Sequence, residues 1–298
     1  MPRLILNADD FGQTLGINRA IQELHTAGAL TSATLMANSA AFDDAVAIAQ
    51  SLPTLGVGCH VVLIDGTPLS PPANIPTLLG PDGKNFRTSL AEFWLAALRG
   101  KIDPADIERE TSAQIRKLQD AGIGVTHLDT HKHTHILPAV AAPLLRIAER
   151  LGIRAIRSPF EQPWSLALSH GPLLRRAQVR VMRILRPRFQ ALPQIRSGAV
   201  CTTDGTLGIS ATGRLDTSTL DALLRAMPEG TWELVCHPGY NDSDLKAIPT
   251  RLRETREVER QALLAVFAHP FRGELIHYGE TAGLQCQPEP STTRRPSS

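Results

Sequence analysis

The chain has 298 residues, with 31 Lys and Arg against 29 Asp and Glu, a formal charge of +2. So close a balance offers no bulk field for nucleic acid, and no apolar window of about eighteen residues predicts a membrane span. Hydrophobic content of 42% and charged content of 20% are those of a soluble globular protein. The start lacks a secretory apolar stretch, and four scattered cysteines (Cys59, Cys201, Cys236, Cys286) read as reduced thiols of a cytoplasmic protein.

Residues 3–8 form an apolar run of strand length that ends in Asp9-Asp10-Phe11-Gly12. The helix expected over 15–27 explains one carboxylate as a cap, not two. A strand over 31–37 and a helix over 42–51 follow. The third strand, over 55–63, carries His60 in an otherwise apolar run. A lone histidine there is ordinary in a core; with titratable groups at other strand ends, a ligand role is the better reading. Residues 65–103 form a long Pro- and Gly-rich loop of the kind that shapes substrate sites, with a short helix near Phe93-Trp94-Leu95. A helix over 104–121 opens on Pro104.

The densest stretch is Thr126-His-Leu-Asp-Thr-His-Lys-His-Thr-His135. His127, Asp129, His131, His133 and His135 occupy alternate positions. Alternate side chains of a strand share a face, so His127, Asp129 and His131 are expected to point one way, with His131 nearest the strand's end. Gathering imidazoles and a carboxylate on one buried face is costly without a cation. His133 and His135 are expected to shape the rim rather than hold metal.

A helix over 138–151 and a strand over 153–157 come next. Residues 165–188 are rich in arginine (Arg175, Arg176, Arg180, Arg183, Arg186, Arg188). They read as a solvated amphipathic helix or as a surface for an anionic group or membrane face. Then come a strand over 198–203, a helix over 216–227, a strand over 232–237 ending in His237-Pro238-Gly239-Tyr240, a helix over 250–268 and a last strand over 274–278. Residues 281–298 are polar and Pro/Ser/Thr-rich, a tail expected to be disordered.

Strand and helix alternate seven or eight times without a second compositional regime. One domain over 1–280 is expected, an α/β fold of the TIM-like (β/α) barrel type, distorted or incomplete. Neither GxGxxG nor a Walker loop is present, which disfavours nucleotide binding. In a parallel barrel the strand C-termini share one rim, so Asp9, Asp10, His60, the 127–135 cluster and His237 converge. One carboxylate and two imidazoles suit a divalent metal with open positions, and Asp10, His60 and His131 are the expected ligands. That leaves Asp9 as general base and His237, across from it, as general acid. Together they suit hydrolysis of an amide.

Asn7-Ala-Asp-Asp-Phe-Gly12, Gly58-Cys-His-Val-Val-Leu63, the 126–135 stretch and Cys236-His-Pro-Gly-Tyr240 resemble, in order and spacing, the YdjC-like carbohydrate deacetylases. That group includes chitooligosaccharide deacetylases and hopanoid-biosynthesis-associated deacetylases. The resemblance covers about residues 3–280. It implies a distorted TIM-like barrel, a magnesium or zinc ion, and removal of the N-acetyl group from an N-acetylated sugar. By residue it implies Asp10, His60 and His131 as metal ligands, Asp9 as base and His237 as acid. Val61-Val-Leu-Ile-Asp-Gly66 and Pro71-Pro-Ala-Asn-Ile-Pro76 look like the hopanoid-associated branch. His237-Pro-Gly-Tyr240 with Arg251, Arg256 and Glu257 looks like the general pattern. The first likeness implies a glycolipid substrate and peripheral membrane contact through residues 175–188. A homodimer is compatible with the chain. A phosphoesterase or amidohydrolase on the same barrel, or a non-catalytic sugar-binding protein, stays open at this level.

Overall fold

A computed structural model describes residues 1–169 and 171–283. The elements in order are β1 (Arg3–Phe11), α1 (Leu15–Thr26), β2 (Ser32–Leu35), α2 (Phe42–Ser51), β3 (Gly56–Val61), α3 (Leu90–Leu98), α4 (Pro104–Asp120), β4 (Leu128–Thr130) and α5 (Pro138–Arg150). There follow α6 (Pro163–Leu168), α7 (Leu173–Met182), α8 (Arg186–Gln190), α9 (Pro193–Arg196), β5 (Gly205–Leu207), α10 (Thr217–Ala226), β6 (Thr231–Cys236), α11 (Ser243–Ala247), α12 (Thr255–Phe267) and β7 (Glu274–Leu275). A 3-10 turn, Tyr278–Gly283, ends the described part. Most of the tail expected to be disordered lies outside the described residues, as does Cys286. The expectation of reduced thiols holds for Cys59 and Cys236, which are free and buried.

The helices begin where side chains satisfy their first N–H groups. Thr14 accepts from Ile17 N at the start of α1, and Asp103 accepts from Ala105 N at the start of α4, just ahead of Pro104. Because Thr14 caps α1, neither Asp9 nor Asp10 is used as a cap.

The strands run parallel in the order β4-β3-β2-β1-β6-β5, a half-barrel of six, with β7 paired to the start of β1. Their C-terminal ends therefore lie along one edge. The register sets His60 of β3 directly beside Asp129 of β4, and Ala8 of β1 beside Cys236 of β6. β1 carries the main irregularity. Its register with β2 shifts between Ala8 and Phe11, and Asp10 takes a φ of 65°. In a regular strand consecutive side chains oppose each other; this bulge brings both Asp9 and Asp10 to the same site. Below that edge the sheet and helices enclose one large apolar core that includes Leu4, Leu6, Ile17, Leu35, Cys59, Leu128, Leu144 and Leu234.

Two expected strands shrink to isolated pairings. Over 153–157 there are parallel bridges of Ile156 with Leu128 and of Ala155 with Cys201. The run over 198–203 contributes only that contact, through Ile156 N to Cys201 O and Cys201 N to Arg154 O, and β5 forms later at Gly205–Leu207.

Close packing under the site depends on Gly58. A Cβ there would lie 2.5–2.7 Å from three atoms of the His127 ring. That ring is held by a stack on Tyr278 at 3.9 Å between centroids and by hydrogen-bond contacts to Asn7 and Thr126. Gly58→Ala should therefore destabilise the protein by about 1–3 kcal/mol, read as a lower thermal midpoint. An unchanged midpoint would mean that His127 can move aside freely.

Candidate metal centre

Three donor atoms from three strand ends converge. His60 Nε2 lies 3.3 Å from His131 Nδ1 and 3.6 Å from Asp10 Oδ1, and His131 Nδ1 lies 3.4 Å from the same Asp10 oxygen. Ligands about 2.1 Å from a tetrahedral ion stand roughly 3.4 Å apart by simple geometry, so the spacing suits a small divalent cation. Asp10 and His60 are buried, and His131 is half-buried, which leaves an approach from solvent on its side.

The other nitrogen of His60 is already used. His60 Nδ1 donates to Asp129 Oδ1 at 2.7 Å. A carboxylate behind an imidazole fixes the tautomer that presents the opposite nitrogen to a metal. A second grouping, Asp9, His60 and Asp129, also brings donor atoms together. It is the poorer cage, because Arg157 binds both of its carboxylates and Asp129 is fully buried.

Arg157 is the hub of the polar network. Its Nη2 and Nη1 hold Asp9 Oδ1 and Oδ2 at 2.6 and 3.0 Å. Nη1 also lies 2.7 Å from Asp129 Oδ2, and Nε donates to Glu233 Oε1 at 2.8 Å. Tyr278 donates to the other oxygen of Glu233. A second buried arginine, Arg256, pairs with Asp10 Oδ2. Thus four buried carboxylates, Asp9, Asp10, Asp129 and Glu233, face two buried guanidiniums, Arg157 and Arg256, and burial pushes the pKa of Glu233 up against the pull of Arg157.

Burial alone would raise the pKa of Asp9, but Arg157, His60 and His237 outweigh it and hold the carboxyl well below the usual range. Asp10 behaves alike: burial opposes charge, and Arg256, His131 and His60 prevail. Burial works against a charged His60, yet Asp129, Asp9 and Asp10 lift its pKa to about 9. His127, His133 and His135 are pushed the other way. His127 is driven down by burial and then by Arg157, and His135 falls to about 3 for the same reasons.

Placed residue by residue, Asp10, His60 and His131 meet as the sequence pattern anticipates. Asp9 stands next to them, clamped at both oxygens by Arg157. His237 is beside Asp9 rather than across from it, with Nε2 at 3.7 Å from Asp9 Oδ2. Its backbone N–H donates to Glu259 Oε2 at 2.6 Å, and its Nδ1, 3.9 Å from the same oxygen, has no partner among the described residues.

The alternating face ends early. β4 stops at Thr130, and Lys132 and His133 turn into positive φ. His135 therefore folds back to the Thr130 hydroxyl and the Arg157 carbonyl, and neither it nor His133 joins the three donors. Arg157, Asp129, Glu233, Glu259 and Arg256 were not expected in these roles. Two carried a readable signal: Arg157 ends an apolar run, and Glu233 interrupts another, as His60 does.

The model of the YdjC-like protein family matches residues 3–272. A carbohydrate deacetylase of Brevibacillus brevis is 41% identical over 162 residues, 54% of this chain and 60% of the relative. One from Geobacillus stearothermophilus is 43% identical over 53% of this chain and 62% of its own length. These matches thus span about three-fifths of either relative. A carbohydrate deacetylase of Thermoanaerobacter pseudethanolicus is 26% identical over 88% of this chain and 91% of its own. In fold, the chain is similar to the crystal structure of a candidate cellobiose-phosphate cleavage protein from Enterococcus faecalis, with a TM-score of 0.73, 23% identity and coverage of 94% and 98% of the two chains.

A metal can take His60 Nε2 only as a free lone pair, so its proton must leave. With that pKa raised to about 9 in the ion-free protein, zinc uptake near pH 7.5 should release about one proton per ion from His60. The release should fade as the starting pH passes through about 9. Calorimetry in buffers of different ionisation enthalpy measures it. Uptake with no proton released at pH 7.5 would contradict the arrangement.

Proposed function

The chain belongs to the YdjC-like protein family, and from that premise we propose that it is a metal-dependent hydrolase that removes the acetyl group from N-acetylated sugars. The observation that carries this is the meeting of Asp10, His60 and His131 donors at 3.3–3.6 Å directly beside the Asp9–His237 pair. The relatives named carbohydrate deacetylases supply the substrate class. The two parallel bridges that flank the half-barrel, Leu128 with Ile156 and Glu161 with Thr206, support reading the fold as a distorted TIM-like barrel.

Asp10, His60 and His131 are the groups that would hold the ion. Two imidazoles and a spacing near that of a tetrahedral shell favour zinc over magnesium, which prefers oxygen donors and a tighter octahedron. A divalent cation held there supplies a Lewis acid for the acetyl oxygen and acidifies water.

The chain's own residues complete the reaction. Asp9 accepts a proton from the attacking water. Its pairing with Arg157 keeps it ionised and oriented, although it also makes it a weak base. The water oxygen forms a bond to the acetyl carbon and the C–N bond breaks. His237 delivers a proton to the departing amine, and acetate leaves. Glu259 fixes the backbone of His237 from behind. Arg256 keeps Asp10 charged and turned toward the donors.

Acetate release from N-acetylglucosamine oligosaccharides and from an N-acetylglucosaminyl lipid should occur and should stop on chelation. Asp9→Asn should keep the metal and lose about 10²–10⁴-fold in turnover. No acetate from either substrate by the metal-loaded protein would move the reading to another hydrolase on this rim or to a sugar-binding protein. Loss of the metal in Asp9→Asn would mean that Asp9 and Asp10 exchange roles.

A further inference from the structure

The arginine-rich stretch has a surface that the reaction does not use. Residues 162–203 hold seven arginines and no Asp, Glu or Lys, in a chain whose net charge is only +2. Within it α7 continues through a 3-10 turn, Arg183–Leu185, into α8 with helical dihedrals throughout. One side of this rod is anchored. Val179 packs with Leu166 and Ile209, Arg175 donates to the Ile209 carbonyl, and Arg183 donates to the Glu161 carbonyl.

The other side is bare and apolar. Leu173, Leu174, Val181 and Ile184 are 80%, 72%, 63% and 75% exposed. Leu173, Ala177, Val181 and Ile184 follow the spacing of one helical face. The fold gains nothing from these side chains, and a contiguous exposed patch of this kind marks an interaction surface. Arg176, Arg180 and Arg188 flank it and make no ion pair among the described residues.

We propose that the face made by Leu173, Leu174, Val181 and Ile184, bordered by Arg176, Arg180 and Arg188, docks on an anionic lipid bilayer. A convex apolar stripe edged by cations fits the headgroup boundary: the aliphatic groups enter the acyl region and the guanidiniums meet lipid phosphates. A second copy of the chain is a poor occupant, because a symmetric contact through this face would bring two acid-free sets of arginines together. The inference goes beyond the reading of the catalytic site. Its test measures lipid binding without catalysis, so either can fail alone.

The test is co-sedimentation of the full chain with phosphatidylcholine vesicles, with and without phosphatidylglycerol. Binding should require the anionic lipid and weaken as salt rises. The variant Arg176→Glu/Arg180→Glu/Arg188→Glu should bind the anionic vesicles about tenfold or more weakly. Leu173→Ser/Ile184→Ser should also bind more weakly while keeping its arginines. Both variants should keep the parent's thermal midpoint and its acetate release from a soluble oligosaccharide. Absence of binding to anionic vesicles, or binding undiminished in both variants, overturns the proposal. So does a parent that sediments as a dimer while Leu173→Ser/Ile184→Ser sediments as a monomer.

Discussion

A single guanidinium holds the polar interior in place. Arg157 is fully buried and reaches Asp9, Asp129 and Glu233, which come from three different strands. Without it, three carboxylates would face one another in a medium that penalises each of them. With it, Asp9 stays ionised beside the three donors, and Asp129 is held in place behind His60. The orientation of His60, and so the direction of its Nε2, follows from Asp129. The candidate centre is therefore built from the inside outward, from Arg157 to Asp129 to His60, and only then to Asp10 and His131 at the opening.

The same network sets the charge at the rim. Arg256 offsets part of Asp10, and Asp129, Asp9 and Asp10 together favour a protonated His60. A divalent cation would bring positive charge to the same place, at the open side next to half-buried His131. Proton and metal then compete for one imidazole nitrogen, which ties the charge balance of the core to the occupancy of the rim.

Much of this was legible in the residues because strand ends in a parallel sheet gather on one edge. Asp10 and His60 end or interrupt apolar runs, where a charged or ligating group has few structural reasons to be, and His131 stands in a dense run of alternating His and Asp. What escaped the pattern depends on local backbone and on partners distant in sequence. Alternation counts His133 and His135 with the strand, but the positive φ of Lys132 and His133 ends it. The bulge that turns Asp9 and Asp10 to one side is equally invisible to a period of two. Arg256 lies on α12, where its contact with Asp10 is set by helix packing rather than by any local spacing. The run over 198–203 looks like a strand by composition, yet its neighbours leave it one bridge, and β5 forms at Gly205–Leu207 instead.

On the proposed reading, Asp10, His60 and His131 form one metal cage with Asp9 next to it and outside it. Anomalous diffraction from a crystal grown with zinc distinguishes this cage from its neighbour. A single strong peak is expected about 2.0–2.2 Å from Asp10 Oδ1, His60 Nε2 and His131 Nδ1, with Arg157 still paired to Asp9. A peak among Asp9, His60 and Asp129, with Arg157 displaced, or no peak on this edge at saturating zinc, would contradict it.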